Sequence, residues 1–159
     1  MSIHRLVLIA GAALLAAGCA TTQTPVSVAD TIAHDPELST LNGLVQKAGL
    51  ADTLKSGGPY TVFAPTNEAF QAVPAKTLDE LGKDPARLKA VLSYHVLPTR
   101  LTADQVSTSN AKTTEGGNLA LAKAGAYLTV EDAMVQTADI AASNGVVHTI
   151  DRVLMPPRR

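Results

Sequence analysis

Apolar positions along the chain follow three successive patterns. Leu6 to Ala17 is a continuous run of twelve apolar residues with no polar face. From Val28 onward, apolar residues recur at helical spacing between polar ones. Asp35-Pro36-Glu37 reads as a helix start, with Asp as N-cap, Pro at the first helical position and Glu in the first turn. Leu38, Leu41, Val45 and Ala48 then share one face, and Gly49 suits the C-terminal cap. A short helical piece from Asp52 to Lys55 stops at Gly57-Gly58. Tyr60 to Ala64, bounded by Pro59 and Pro65, reads as a strand. Thr66 is placed to cap a helix beginning at Asn67. Asp84-Pro85 repeats the Asp-Pro start ahead of the stripe Leu88, Val91 and Leu92, and Thr102 is placed to cap a last short helix over Ala103 to Val106. The final third turns to strands: Lys112 to Thr114, Leu119 to Leu121, Tyr127 to Val130, Met134 to Thr137 and Val146 to Met155. Gly116-Gly117, Lys123 to Gly125 and Asn144-Gly145 separate them, and Asn-Gly suits turns that need positive φ. Helices first and an antiparallel meander later predict an α+β fold.

The N-terminal run is too short to span a bilayer and suits the core of a signal peptide, with His4 and Arg5 as its polar start. It ends in Leu15-Ala16-Ala17-Gly18-Cys19, which resembles a bacterial lipoprotein cleavage box, except that Ala16 stands where Leu is usual. Residues 1–18 are therefore expected to be removed, leaving Cys19 lipidated. Cys19 is the single cysteine, so no internal disulfide can form. Several acyl chains acting together give stable anchoring. Residues 19–27 then form a polar tether and 28–156 the folded domain. Ala20 after the cysteine, rather than Asp, favours the outer membrane in a Gram-negative cell. The expected location is exported and lipid-anchored: outer membrane or periplasm if Gram-negative, otherwise the cell surface.

Composition adds exclusions. The 159 residues suffice for one domain. Two Phe, three Tyr and no Trp leave the core to aliphatic residues and offer little for stacking on bases. Without residues 1–18 the chain keeps 12 Lys and Arg against 14 Asp and Glu, a net charge of −2, with no basic stripe, so nucleic acid is not an expected partner. Ser93 and Ser143 are the candidate nucleophiles and His95 and His148 the candidate bases, but no Gly-x-Ser-x-Gly elbow occurs. His34, His95 and His148 are scattered, with no His-x-His or His-Glu-x-x-His, so no metal site or cofactor is expected.

Three stretches carry a resemblance. Tyr60 to Phe70 (Tyr-Thr-Val-Phe-Ala-Pro-Thr-Asn-Glu-Ala-Phe), Tyr94 to Pro98 (Tyr-His-Val-Leu-Pro) and Asn144 to Pro156 resemble, in order and spacing, the first, central and closing blocks of fasciclin domains. The resemblance covers about residues 28–156. It implies a wedge of about seven strands with helices packed around it. It also implies a non-catalytic role in adhesion to a matrix polymer, surface polymer or surface protein. Some fasciclin-like proteins carry carotenoids or other apolar ligands, which gives carriage of an apolar ligand as the alternative.

In animal relatives an Asp-Ile pair before the final Asn-Gly strand, and the Tyr-His block, are implicated in integrin binding. The resemblance carries this to Asp139, Ile140, Tyr94 and His95 as candidate adhesion contacts, though Ala138 and Ala141 stand where relatives can have Pro and Met. The residues by themselves suggest plainer roles. His95 suits a buried imidazole holding backbone groups between the helix and the next strand, since a neutral ring donates and accepts at once. His148 alternates with Val146 and Ile150 and so faces the same way, in a structural role. Asp139 suits a solvated carboxylate, and Thr66 and Asn67 suit helix capping.

Overall fold

The computed structural model describes residues 26–157. The expected signal peptide, Cys19 and the tether up to residue 25 lie outside the described residues. None of the described helices is long and apolar enough to cross a membrane.

The helical half comes first. Helix α1 (Val28–His34) is capped by the Ser27 hydroxyl, which accepts from the Asp30 N–H. Asp35 caps a single 3-10 turn, Pro36–Leu38, which leads into α2 (Ser39–Lys47). The stripe Leu38, Leu41 and Val45 is buried, and Gly49 ends the helix at φ 71°. Helix α3 (Ala51–Ser56), strand β1 (Tyr60–Pro65) and helix α4 (Asn67–Gln71) follow, the last capped by Thr66. Helix α5 (Ala75–Lys83) escapes the sequence pattern, because it has no side-chain cap and buries only Leu81. Helix α6 (Pro85–Tyr94), capped by Asp84, buries Leu88, Val91, Leu92 and Tyr94.

The strands are β2 (Val96–Leu97), β3 (Ser109–Lys112), β4 (Asn118–Ala124), β5 (Tyr127–Val130), β6 (Ala133–Ala142) and β7 (Gly145–Ile150). They form one sheet in the order β2-β1-β7-β6-β5-β4-β3. The Thr114 N–H and hydroxyl both donate to the Val96 carbonyl (2.8 and 2.9 Å), so the chain after β3 returns to β2 and nearly closes a barrel.

The sheet is not purely antiparallel. Strand β1 lies parallel to β7 over six pairs, from Tyr60↔Gly145 to Pro65↔Ile150. Several predicted boundaries also shift. Ala103 to Val106 is not a helix but one turn, in which the Gln105 and Val106 N–H groups both donate to the Thr102 carbonyl. Strand β3 starts earlier than predicted, because Thr113 and Thr114 are taken up by the Gly116-Gly117 turn and by β2. Strand β6 runs on through two irregularities, and β7 stops at Ile150. Gly145 does not take positive φ. It is required because a Cβ there would collide with the Tyr60 carbonyl oxygen on the parallel neighbour.

Strand alternation divides the interior in two. Val62, Ala64 and Val147 face the helices and pack with Ile32, Leu41, Leu88 and Val91. Phe63, Leu97 and Ile150 face the other way, against Leu119, Leu121, Leu128 and Val130 from the curled-over meander. Each fully buried side chain of this kind contributes roughly 1.5–3 kcal/mol. The two clusters pack against opposite faces of β1 and β7.

Candidate functional site

The candidates lie on opposite sides of β7 and β1 rather than in one place, with Tyr94 and His95 at the end of α6 just ahead of β2. Ile140 pairs with Val147, Val147 with Val62, and Val62 with Val96. The Asp139-Ile140 pair and the Tyr94-His95 block are thus separated by β7 and β1, three strand spacings or about 14 Å. Between them lie His148 and Phe63, paired in register and stacked with ring centroids 5.5 Å apart.

His95 is buried. Its Nδ1 lies 2.7 Å from the Val91 carbonyl oxygen, and its Nε2 lies 2.9 Å from the Leu154 N–H. A carbonyl only accepts and an N–H only donates. The ring is therefore the neutral Nδ1–H tautomer, joining α6 to the segment that follows β7. His148 has the opposite tautomer: Nε2–H donates to the Leu101 carbonyl (2.8 Å), and Nδ1 accepts from the Asp139 N–H (3.1 Å). Burial pushes the pKa of His95 down from 6.5 to about 4, opposed only by the Val91 bond. Burial lowers that of His148 too, against the Leu101 bond and the nearby Asp139 charge. With both ring nitrogens of each residue occupied by backbone, neither histidine is free to serve as a base toward Ser93 or Ser143.

Asp139 is exposed, and its backbone lies in the left-handed region (φ 58°), which Asp tolerates better than most residues. It sits where β6 bulges between Thr137 and Ile140. Its carboxylate accepts from the Ala103 N–H at 2.7 Å. Thr61, a buried hydroxyl on β1, donates to the Thr99 carbonyl (2.6 Å) and accepts from the Leu101 N–H (2.7 Å). Three side chains from three strands thereby brace the segment from Thr99 to Ala103 over the sheet. Beside the braces, Pro98, Thr99 and Arg100 are exposed to solvent. Tyr94 is buried, with its hydroxyl on the Asn118 carbonyl (3.0 Å), and Ile140 is half-buried beside the helical cluster. Of the four candidate contacts, Asp139 alone is fully exposed.

Thr66 accepts from the Ala69 N–H at 3.4 Å. Asn67 joins α4 to the start of α2, donating to the Pro36 carbonyl (3.0 Å) and accepting from the Thr40 N–H (3.0 Å). Asn144, read from sequence only as a turn residue, accepts from the Val28 N–H (2.8 Å) and donates to the Leu54 and Gly57 carbonyls (both 2.7 Å). Thr61 and Asn144 are thus the positioning residues that sequence reasoning missed. Thr61 left one trace, a hydroxyl on a strand whose neighbours are all apolar, where a buried donor must find a partner.

Two clefts among the described residues are open to solvent. One, about 340 Å³, lies between α6 and the C-terminal segment and is lined by Arg87, Glu115, Met155 and Pro156. A second, about 250 Å³, opens where β5 and β6 diverge, between Lys123, Leu128, Gln136 and Ala138. No group of three or more His, Cys, Asp or Glu among the described residues is placed to hold a metal ion.

Residues 36–156 match the family model for the fasciclin domain. The chain is 39% identical over 142 residues to protein sll1483 of Synechocystis, covering 87% of this chain and 78% of that one. It is 37% identical over 140 residues to the cell surface glycolipoprotein MPB83 of Mycobacterium bovis, covering 85% of this chain but 62% of that protein. Among solved structures it is similar to the FAS1 domain pair of the insect cell adhesion molecule Fasciclin I. That match has a TM-score of 0.60 and 26% identity, and covers 74% of this chain and 45% of the other.

Proposed function

The chain belongs to the fasciclin domain family, and we propose that it is a non-enzymatic surface-interaction protein. It is exported, processed ahead of Cys19 and held by lipid outside the cytoplasm, on the outer membrane if the cell is Gram-negative. There the domain from 28 to 156 meets a matrix polymer or a surface protein. Relatives described as a cell surface glycolipoprotein and a cell adhesion molecule support the location and the role.

The observation that carries the reading is the bracing of the segment from Thr99 to Ala103, exposed at Thr99 and Arg100, by Thr61, His148 and Asp139. A contact loop held in one conformation loses less entropy when it binds. The same bracing occupies His148, and Val91 and Leu154 occupy His95, the two histidines that a hydrolase would need. Contact is favoured over carriage of an apolar ligand because the chain's own side chains fill both apolar clusters.

Two measurements test this. Cys19→Ser should move the protein from the membrane fraction to the soluble one; a variant that stays with membranes refutes the anchor. Deletion of the protein should reduce attachment of cells to surfaces or to one another; unchanged attachment across several surfaces refutes the contact role.

A further inference from the structure

The outer face of the meander has an unusual surface for a solvated sheet. Strand β4 alternates strictly, with Leu119 and Leu121 inward and Ala120, Ala122 and Ala124 outward. Alanine is depleted in strands, and a solvent-facing position ordinarily carries a longer polar or β-branched side chain. Three in succession make a smooth floor. The register continues it sideways: Asn110 lies opposite Ala120, Thr129 opposite Ala122, Tyr127 opposite Ala124, and Met134 opposite Thr129.

Tyr127 rises from one edge of this floor, 67% exposed, and Met134 is 45% exposed. Tyr127 follows the two-residue turn Gly125-Ala126, in which Gly125 takes φ 61°, so its backbone is fixed by the hairpin. Asn110 and Asn118 turn outward on the far side. Lys112 stands opposite Asn118 at one end, while Glu131, opposite Ala120, and Asp151 turn their carboxylates onto the Ala120 and Met134 N–H groups.

We propose that this face is a second contact surface, distinct from the braced loop, and that its partner is an uncharged polysaccharide chain. Three features select that chemistry. The centre carries no cation, and the carboxylates beside it are engaged by backbone N–H groups, so nothing there complements an acidic polymer, a nucleic acid or an anionic headgroup. A lone fixed aromatic beside a flat floor can lie against the C–H face of a sugar ring, while the amides of Asn110 and Asn118 and the hydroxyl of Thr129 reach its hydroxyls. The dimensions suit a narrow strand better than a second copy of the domain. Four strands at the seven-residue length of β4 is at most about 14 by 20 Å, or about 280 Å², well short of the roughly 800 Å² per partner that a stable protein pair buries.

The test is affinity electrophoresis of the full chain, purified in non-ionic detergent, through gels containing hydroxyethylcellulose, dextran, galactomannan or alginate. At least one of the three neutral polymers should retard the protein, and alginate should not retard it more. Tyr127→Ala and, independently, Ala122→Lys should each weaken that retardation about tenfold. Both positions are exposed, so circular dichroism and the thermal midpoint should stay unchanged. Arg100→Ala, on the braced loop, should leave retardation unchanged, which separates this face from the loop. The proposal is overturned by no retardation in any neutral polymer, or by retardation that survives both face variants. It is overturned equally by a concentration-dependent dimer in sedimentation that Tyr127→Ala abolishes, since the face would then bind a second copy.

Discussion

Buried neutral histidine makes the fold acid-sensitive in a window set by His95. In the unfolded chain the imidazole titrates near 6.5; in the folded one it stays neutral down to about 4. Between those values the unfolded state binds more protons, so stability rises with pH. The contribution is complete above 6.5 and is lost as pH falls toward 4. A difference of this size corresponds to about 3 kcal/mol, a large part of the 5–15 kcal/mol typical of a domain. Protonation is costly because no carboxylate faces the ring. Its Nδ1 already donates to Val91, and a second proton on Nε2 would point at the Leu154 N–H, donor against donor. His148 adds in the same direction, since burial also lowers its pKa. Asp30 does not blur the window. The Ser27 hydroxyl, foremost, lowers its carboxyl from 3.8, so it titrates below the range in question. The assay is urea unfolding at pH 7.5, 6.5, 5.5 and 4.5 for the wild type and for His95→Gln, which keeps an amide donor and acceptor but cannot titrate. His95→Gln should be the less stable at pH 7.5. Its disadvantage should shrink by about 2–3 kcal/mol by pH 4.5. A gap that stays constant with pH would show that His95 does not titrate in folding and would refute the reasoning.

Three further outcomes follow from single contacts. Asn144→Ala strands the Val28 N–H and the Leu54 and Gly57 carbonyls at once; it should cost about 3 kcal/mol in a urea titration, with Asn144→Asp no better because a carboxylate would face two carbonyls. Gly145→Ala drives a methyl into the Tyr60 carbonyl and should fall at the upper end of the ~1–3 kcal/mol range for overpacking, read as a lowered thermal midpoint. Asp139→Ala loses the acceptor for Ala103 and leaves a residue poorly suited to φ 58°; it should cost about 1–2 kcal/mol and speed amide exchange at Ala103, while Asp139→Asn should stay near wild type.

Local signals in the sequence located most of the elements. Asp35, Thr66 and Asp84 stand at helix starts because capping is decided within a few residues. Strand β5 was found to the residue, Tyr127 to Val130, from its alternation and its flanking turns. What failed depended on distance along the chain. The parallel pairing of β1 with β7 joins residues 85 apart, as Tyr60 and Gly145 show, and no local pattern encodes it. Gly145 is required by that pairing and not by the turn it ends. The candidate contacts show the same division. Asp139 and Tyr94 were picked out by resemblance, but their exposure is set by which strand crosses over them. Asn144 looked like a turn residue because its three partners lie 87 to 116 positions away.

Five polar residues inside the three signature blocks share one chemistry: their side chains bond backbone remote in sequence. Thr61 binds Thr99 and Leu101, Asn67 binds Pro36 and Thr40, and His95 binds Leu154. Asn144 binds Val28, Leu54 and Gly57, and His148 binds Leu101 and Asp139. Each ties together backbone groups from separate elements, so a change at any of them is felt in stability first. Such residues specify a frame. Two exposed residues that a partner could touch, Arg100 beside the braced loop and Tyr127 on the alanine floor, lie outside the blocks. A chain can therefore keep the blocks, hold the same wedge and exchange its partner by changing the surface alone. The measurement that follows pairs the two kinds of variant in one assay. His95→Ala should lose binding only in step with the folded fraction, while Tyr127→Ala should lose binding with the folded fraction unchanged. If Tyr127→Ala instead tracked unfolding, the separation of frame from surface would fail.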